Sequence, residues 1–358
     1  MKHAYVPRMT SYSLNPEDEL NDLRMSDQVR PLYDHVRQFI RETVEPMSAE
    51  FYRLGENKQD RWSFTPGQLE VLEKAKSRAK EVGLWNFFLP DADTGDGLKN
   101  LDYAYIAAEL GKSPLASETM NCSAPDTGNM EVLERVGTRE QKEKWLKPLL
   151  NGEIRSAYAM TEPNVASSDA KNISATAKLV GDEWVINGEK FYISGLGDPR
   201  CKIMIVMVKT DPDAPPSKQQ SQILVPKDTP GVEIIGPMHV FGHDHAPRGH
   251  MHLRFNNVRV PRENILLGEE PMANPVIMDR KAAHTRIREL GRFFGTEIDP
   301  DLRVASLSVG WQQRVEILKA LYRNADILVL VLKHPHERVP GAGSLQYTDA
   351  PGTNARAQ

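Results

Sequence analysis

Cysteine is scarce in this chain, and an excess of positive charge is lacking. Cys122 and Cys201 are the two cysteines in 358 residues. One bond between them is possible by count, but two isolated thiols in so long a chain indicate a reducing compartment. The formal net charge is −4, so the protein has no basic field for nucleic acid and no polybasic signal for a membrane surface. We therefore expect no nucleic-acid partner and no disulfide-stapled secreted domain.

Long apolar segments are lacking as well. The apolar run Ile327 to Leu332, which no other apolar run exceeds in length, is far shorter than the about 20 residues that a membrane-spanning helix needs. Residues 1–25 contain no apolar core of a secretory signal, and the acidic stretch at 17–19 is not typical of an organelle transit peptide. We therefore expect a soluble, cytoplasmic protein without a membrane span.

Residues 27–150 form the first of four regions that differ in pattern, and their apolar residues occur at helical spacing. One helix is predicted over 66–82 and a second over 101–110, because each stretch ends at a glycine, a usual C-terminal signal. A third is predicted over 138–146, where Gln141 completes a capping box at the start and a proline follows the end. This region is predicted to be an all-α N-terminal domain.

The second region, residues 151–269, changes to alternating apolar and polar residues. A hairpin is predicted at the Gly181-Asp182 turn, and Asn187-Gly188 gives a second hairpin signal. The continuous apolar run Ile203 to Val208 predicts a strand that is buried on both faces. We expect an antiparallel β-domain here.

Two further regions complete the predicted organisation. Residues 279–332 read as a short helical segment followed by a strand-like run. Residues 333–358 are rich in Pro, Gly, Ser and Thr and are predicted to be a disordered tail. The expected fold class is thus α+β, with an N-terminal all-α domain, an antiparallel β-domain, a short helical segment and the tail.

Three motifs follow one another along the predicted β-domain. They are YAMTEPNVASSD at 158–169, NGEKFYIS at 187–194, and FNNVRVP at 255–261, which is followed by LLGE at 266–269. In this order and spacing they resemble the acyl-CoA dehydrogenase family, and the resemblance covers about residues 27–269. It implies FAD-dependent α,β-dehydrogenation of an acyl-CoA thioester, an electron-transfer flavoprotein as partner, and a homo-oligomer.

The cofactor explains why such residues are needed. A flavin ring is planar, with apolar faces and a polar edge, and a rigid sheet presents hydroxyls and amides to that edge without reorganising. The resemblance places Tyr158, Met160 and Thr161 along the flavin and Ser168 at the pyrophosphate. It also places Tyr192 beside the ring and the Ser194 hydroxyl near the flavin N5.

These residues also have structural readings that involve no cofactor. The sequence Thr161-Glu162-Pro163 is typical of a boundary between a strand and a turn, and Tyr192 of an aromatic packed on a strand.

Histidines at 243, 245, 250 and 252 raise the alternative of a zinc site, because alternate strand positions share a face. The stretch 240–252 also resembles a loop and strand of the same dehydrogenase family, where no metal is needed. We predict no metal.

The resemblance ends near Glu269. In the family a carboxylate base removes the α-proton, and that base lies in a C-terminal helical domain. Nothing after Glu270 resembles that domain, so no residue is assigned as the catalytic base. Residues 279–330 resemble instead the signature region of an ATP-binding cassette ATPase, carried by LSVGWQQR at 307–314. No GxxxxGK[ST] phosphate loop occurs in the chain, which excludes ATPase activity.

Three functions therefore compete at this point. The first is the FAD-dependent dehydrogenase. The second is a truncated or fused fragment that binds flavin or CoA without catalysis. The third is a subunit of an ATP-driven importer, which the missing phosphate loop opposes.

Overall fold

The structure is a computed structural model. It describes residues 24–90, 95–266, 272–274, 277–278, 280–293, 299–300, 302, 311 and 315. The chain divides into two units, Met1–Arg286 and Ile287–Gln358, and every residue of the site discussed below lies in the first. The signature-like segment at 307–314 lies outside the described residues except for Trp311, and the tail at 333–358 lies wholly outside them.

Helices make up the N-terminal part of the described chain. They are α1 (Arg30–Phe39), α2 (Glu45–Leu54), α3 (Pro66–Glu81), α4 (Asn100–Leu110), α5 (Ala116–Thr119), α6 (Asp126–Val136), α7 (Arg139–Gln141) and α8 (Lys147–Leu150), with α9 (Arg280–Phe293) after the sheet. The predicted helices over 66–82 and 101–110 correspond to α3 and α4. Among the described residues, no helix combines the length and the apolarity that crossing a bilayer requires.

Capping residues set where two of these helices begin. The Thr65 hydroxyl accepts a hydrogen bond from the Gln68 N–H, and the Gln68 side-chain carbonyl accepts one from the Thr65 N–H. Thr138 and Gln141 form the same reciprocal pair before α7, as the sequence predicts. Gln141 also donates to the carbonyl of Ile265, at the far end of the sheet. The second cap therefore orients a helix against the β-domain.

Replacing Thr138 by Ala is expected to lower the free energy of unfolding by about 1 kcal/mol, because the N-terminal amides lose their acceptor. Thr138→Ser keeps the hydroxyl and is the matched control. Urea unfolding followed by circular dichroism measures the difference. Equal stabilities of the Ala and Ser variants would show that the Thr138 cap does not contribute to the free energy of unfolding.

One helix boundary differs from the prediction. The helix that starts at Thr138 does not end at Leu146 but continues through a π-helical turn, Lys142–Leu146, into α8, which contains Pro148. Proline lacks an N–H and its ring crowds the preceding turn, and the wider π turn accommodates both effects. The turn Ile40–Val44 precedes Pro46 in the same way. Proline marks a change of helical pitch here rather than an end.

The β-domain follows the helices. Its strands are β1 (Arg155–Ala159), β2 (Thr176–Val180), β3 (Glu183–Ser194), β4 (Cys201–Lys209), β5 (Gln220–Pro226), β6 (Val232–Met238), β7 (His250–Pro261) and β8 (Ile265–Leu266), with a separate pair β9 (Met272–Asn274) and β10 (Ile277–Met278). The main sheet has the order β6-β7-β3-β2-β4-β5-β8, and β1 pairs with β4. Helices followed by a sheet confirm the predicted fold class.

The sheet differs from the prediction in being mixed. Most neighbours are antiparallel, but β1 lies parallel to β4, and β2 and β4 share one parallel pair, Thr176 with Lys209. Parallel strands need a long connection, which residues 160–200 supply by way of the β2–β3 hairpin. Alternation of apolar residues predicts a strand but not the strand that it pairs with, so the parallel pairing could not be predicted from the sequence.

The Gly181-Asp182 turn joins β2 to β3 as predicted, but Asn187-Gly188 forms no hairpin. The pair lies inside β3, where the register with β7 shifts. Gly188 has a φ of +141°, and a Cβ there would lie 2.5 Å from the Ala175 Cβ. The Asn187 side chain accepts from the Asn257 N–H on β7 at 2.9 Å. Glycine is thus needed for a β-bulge and a close approach, not for a turn.

Strand β4 connects the two parts of the hydrophobic core. Its Ile203 and Ile205 pack with the buried helical residues, whereas Met204 and Val206 face the interior of the sheet. This confirms the prediction that the run Ile203 to Val208 is buried on both faces. One side of β4 therefore packs against the helices. The site residues lie around strand β1, which pairs with β4.

Candidate functional site

The first two motifs meet just beyond the end of β1. The Phe191 N–H donates to the Thr161 carbonyl at 2.9 Å, and the Thr161 hydroxyl donates to the Phe191 carbonyl at 2.6 Å. These bonds join residues that lie 30 positions apart in the chain. Because its one proton is already used, the Thr161 hydroxyl has only acceptor capacity left for a ligand.

A buried ion pair lies under this junction. Lys190 Nζ is 2.9 Å from Glu162 Oε1, and the two side chains are 0% and 2% exposed. Lys190 also donates to the Met160 carbonyl at 2.8 Å. The pair therefore ties the first motif to the second from the inside, where breaking it is costly.

Hydrogen bonds hold Glu162 in its charged form. Burial by itself would raise the pKa of Glu162, but bonds from Ser174 and Lys190 outweigh it, so the pKa is lowered. Ser174 contributes both its N–H, at 2.8 Å, and its hydroxyl, at 2.5 Å. Burial also lowers the pKa of Lys190, which the contact with Glu162 opposes. The carboxylate is a structural anchor for the loop between β1 and β2.

Tyr192 adopts a backbone conformation that is rare for its residue type. Its φ is +55°, and it lies where the register between β3 and β7 shifts, between Lys190 and Ile193. A bulky residue at positive φ is strained, and such strain is concentrated at functional sites. The side chain is 42% exposed, with its ring centre 6.2 Å from that of His250. The bulge thus holds an aromatic ring at the surface of the sheet.

Ser194 lies at the end of the same strand, opposite the first residue of β7. Its Oγ is 2.9 Å from Nδ1 of His250. It also borders a cavity of about 60 Å³, large enough for a few water molecules. The cavity is lined by Ser123, Ala124, Arg155, Ser156, Ser194, Gly195, Asp198 and Arg248.

A charge cluster lies beside this cavity. Its members are Lys76, Glu118, Asp126, Arg155, Asp198, Arg200 and Arg248. Glu118 on α5 is the hub, with Arg200 Nη1 at 2.5 Å and Arg155 Nη1 at 3.2 Å from its oxygens. Arg155 also contacts Asp126. Because the helices contribute Lys76, Glu118 and Asp126, the cluster fastens the helical part to the sheet.

The pKa values of two buried carboxyls in the cluster, Glu118 and Asp126, are shifted in opposite directions. Burial would raise the pKa of Glu118, but the Arg155, Arg200, Arg248 and Lys76 cations outweigh it and hold the pKa well below its ordinary range. For Asp126 burial prevails over Arg155 and Ser156, so the pKa is raised.

The predicted site residues divide into two groups in the structure. One group forms a run of neighbours in space, linked by contacts through Lys190, Phe191 and His250; it consists of Met160, Thr161, Tyr192 and Ser194. Tyr158 packs against the helical core instead, and its hydroxyl accepts from Gln222 at 3.4 Å. Ser168 is exposed in the loop after Glu162, next to Ser167, whose hydroxyl accepts from the Glu162 N–H. Their contacts with a cofactor stay predictions.

Sequence reasoning gave no role to Glu162, Lys190 or His250. The first two lie within the quoted motifs, and a charged residue inside an apolar strand pattern is a usable signal for a buried pair. For His250 the sequence indicates only a candidate metal ligand. Over the part of the chain that the structure describes, no group of three or more His, Cys, Asp or Glu side chains is placed to hold a metal. His252 contacts Glu189 at 3.2 Å, and both cysteines are free and buried.

Two family models match the described part of this chain. Residues 26–153 match the acyl-CoA dehydrogenase N-terminal domain, and residues 157–258 match the acyl-CoA dehydrogenase middle domain. Acyl-CoA dehydrogenase family member 10 of Mus musculus is 52% identical over 249 residues, which are 68% of this chain and 23% of that protein. The chain spans less than half the length of the curated relatives it matches, for example 23% of this mouse protein.

Solved structures show the same relationship. A putative acyl-CoA dehydrogenase from Mycobacterium abscessus superimposes with a TM-score of 0.63 at 37% identity, over 84% of this chain and 78% of that one. A glutaryl-CoA dehydrogenase from Mycobacterium smegmatis, in complex with FADH2, gives a TM-score of 0.51 at 20% identity, over 86% and 75% of the two chains. The second likeness concerns the fold alone.

Proposed function

This chain belongs to the acyl-CoA dehydrogenase family, and we propose that it binds FAD and takes part in the α,β-dehydrogenation of an acyl-CoA thioester. The observation that carries the proposal is the run from Thr161 to Ser194, in which hydroxyls and a strained aromatic ring are fixed on strand β3 and on the segment hydrogen-bonded to it. An electron-transfer flavoprotein as acceptor and assembly into a homo-oligomer are part of the same proposal.

The residues of this run fit a flavin by their chemistry. A planar ring needs a surface for its face and fixed polar groups for its edge. Tyr192 offers an exposed ring that its bulge holds in place. Thr161 offers an acceptor for a ring N–H, and Ser194 a hydroxyl on the same strand as Tyr192. The Glu162–Lys190 pair under them keeps the two motifs in register.

When bound, the flavin would supply a two-electron hydride acceptor. The chain's own residues would bind and orient it, because Ser194 lies on strand β3 and Thr161 is hydrogen-bonded to the backbone of Phe191 on the same strand. Four buried or nearly buried carboxylates of the site, Glu118, Glu162, Asp126 and Asp198, are all engaged by cations. None of these four is free to accept an α-proton, so we assign no catalytic base.

Reconstitution of the full chain with FAD tests the proposal. We expect a protein-bound flavin absorption spectrum and loss of the visible band when an acyl-CoA is added without oxygen. Flavin binding without bleaching would favour the alternative of a flavin-binding chain without turnover. No flavin binding at all would contradict the proposal.

Tyr192→Ala is expected to weaken FAD binding about three- to tenfold, because one aromatic contact contributes about 0.5–1.5 kcal/mol beyond its buried area. Phe241→Ala removes an aromatic side chain that is 99% exposed and is the control. Titration of flavin fluorescence gives both dissociation constants. Equal constants for the two variants would remove Tyr192 from the flavin site.

A further inference from the structure

His250 contacts Ser194 and has no role in the function proposed above. The two residues are direct cross-strand partners on β3 and β7, and Ser194 Oγ is 2.9 Å from His250 Nδ1. Ser194 also lines the cavity that Ser123 and Arg155 share. The Ser194 hydroxyl therefore has an imidazole as one neighbour and open space as another.

A serine hydroxyl has one proton to donate. When His250 is neutral and Nδ1 carries no proton, the hydroxyl donates to Nδ1, and only its lone pairs face other partners. When the imidazole is protonated, Nδ1–H must donate to Oγ, and the hydroxyl proton is free to be donated elsewhere. The protonation of His250 consequently decides whether Ser194 acts as a donor or an acceptor toward a ligand.

We infer that His250 is a positioning residue that controls the hydrogen bond from Ser194 to the bound flavin. When the ring is neutral, the Ser194 hydroxyl donates its hydrogen bond to His250. When the ring is protonated, the hydroxyl can donate its hydrogen bond to the flavin instead. The inference rests on the proposed function, because it requires a flavin beside Ser194. It adds a linkage: negative charge developing on that flavin would favour the protonated imidazole.

The backbone around His250 is fixed, as such a control requires. The Gly195 N–H donates to the Gly249 carbonyl at 3.1 Å, so the strands stay paired beyond Ser194. A Cβ on Gly249 would lie 1.8 Å from the Asp244 carbonyl oxygen, so only glycine allows this approach. Asp244 is itself buried and accepts from Arg61 at 2.7 Å. The loop before β7 therefore cannot shift His250 without breaking these contacts.

The surroundings of His250 favour the neutral ring at neutral pH. Burial lowers the pKa of His250 from its ordinary 6.5, and the His245 ring, 6.4 Å away, lowers it further. On the cavity side of Ser194, the charged groups are Arg155, Arg248 and Asp198. On β7, His252 is occupied by Glu189. The Ser194 hydroxyl is thus expected to turn its hydrogen bond away from His250 only when the pH falls below the ordinary pKa of histidine.

Titration of the full chain with FAD at about pH 5.5 and about pH 8 tests this control. We expect the wild-type chain to bind FAD about three- to tenfold more tightly at the lower pH, the gain from one additional hydrogen bond. His250→Asn keeps a hydrogen-bonding group that does not titrate, and Ser194→Ala removes the hydroxyl, so both should lose this pH dependence. His252→Asn, on the same strand, should retain it.

A second measurement needs no substitution. Nitrogen NMR shifts of the flavin-free wild-type chain should show His250 Nδ1 without a proton at neutral pH. A protonated Nδ1 on the neutral ring, or a pH dependence that persists in His250→Asn, would overturn the inference and leave the proposed function standing. Absence of FAD binding by the wild-type chain would instead overturn the proposed function, and the inference with it.

Discussion

Lys190→Met is expected to lower the free energy of unfolding by about 3–5 kcal/mol, the cost of removing one partner of a buried ion pair. The substitution leaves Glu162 charged and 2% exposed. It also leaves the Met160 carbonyl without the hydrogen bond from Lys190. Because the pair holds the first two motifs together, FAD binding should be lost at the same time.

The matched control is Lys178→Met, on the exposed side of β2. It removes a lysine from the same sheet without breaking a buried pair, so its stability should change by no more than about 0.5 kcal/mol. Chemical unfolding of both variants and of the wild type gives the comparison. If Lys190→Met were as stable as Lys178→Met, the ion pair would have no structural role.

A double substitution separates the pair from its individual charges. In Glu162→Gln/Lys190→Met neither charge is left without a partner, so much of the lost stability should return. Ser174 would still have an oxygen acceptor at position 162, at the place where its hydroxyl now bonds at 2.5 Å. A double variant that is less stable than Lys190→Met would indicate that Glu162 acts chiefly through Ser174 and the loop, not through Lys190.

Local signals predicted the elements whose boundaries depend on near neighbours. The capping box at Thr138 and the turn at Gly181-Asp182 need only residues three or fewer positions apart. Strand β4 was recognisable because burial on both faces leaves a continuous apolar run. These features require no knowledge of the rest of the chain.

Features that depend on distant partners could not be predicted in the same way. Asn187-Gly188 has the composition of a hairpin, but contacts with Ala175 and Asn257 keep it within β3. Pro148 should end a helix, yet a π turn carries the helix past it. For Asn187-Gly188 tertiary packing prevails over a local preference, whereas at Pro148 the wider helical turn accommodates the proline.

The site shows the same limit. The resemblance supplied Met160, Thr161, Tyr192 and Ser194, which the structure brings onto one run. It did not supply their supports, because a charge in a motif does not reveal its partner. Glu162 and Lys190 are 28 positions apart, and no periodicity connects them.

Glu118→Gln is expected to produce the other large effect, a loss of about 3–5 kcal/mol at neutral pH. Glu118 contacts Arg155, Arg200 and Arg248, and Lys76 lies 3.9 Å away. Without this anion the remaining carboxylates of the charge cluster, Asp126 and Asp198, face four cations. The helical part should therefore loosen from the sheet, and protease cleavage should become faster.

The pH dependence of stability provides a second readout for Glu118. Its pKa is held well below the ordinary 4.5 by the surrounding cations. A depressed carboxyl pKa contributes stability that is complete above its unfolded value and is lost as the pH falls toward the folded one. Wild-type stability should thus decline below about pH 5, and Glu118→Gln should decline less. Asp126, whose pKa is raised by burial and in part by the Glu118 charge, contributes the opposite slope, and this contribution should be smaller in Glu118→Gln.

Glu143→Gln is the control for this experiment, because Glu143 is an exposed residue paired with Lys147 one helical turn away. Such a pair contributes at most about 0.5 kcal/mol, so this variant should follow the wild type across the whole pH range. Unfolding at a series of pH values distinguishes the two acids. If Glu118→Gln kept the acid dependence of the wild type, the cations would be balanced by Asp126 and Asp198 alone, and Glu118 would not be the hub that joins the helices to the sheet.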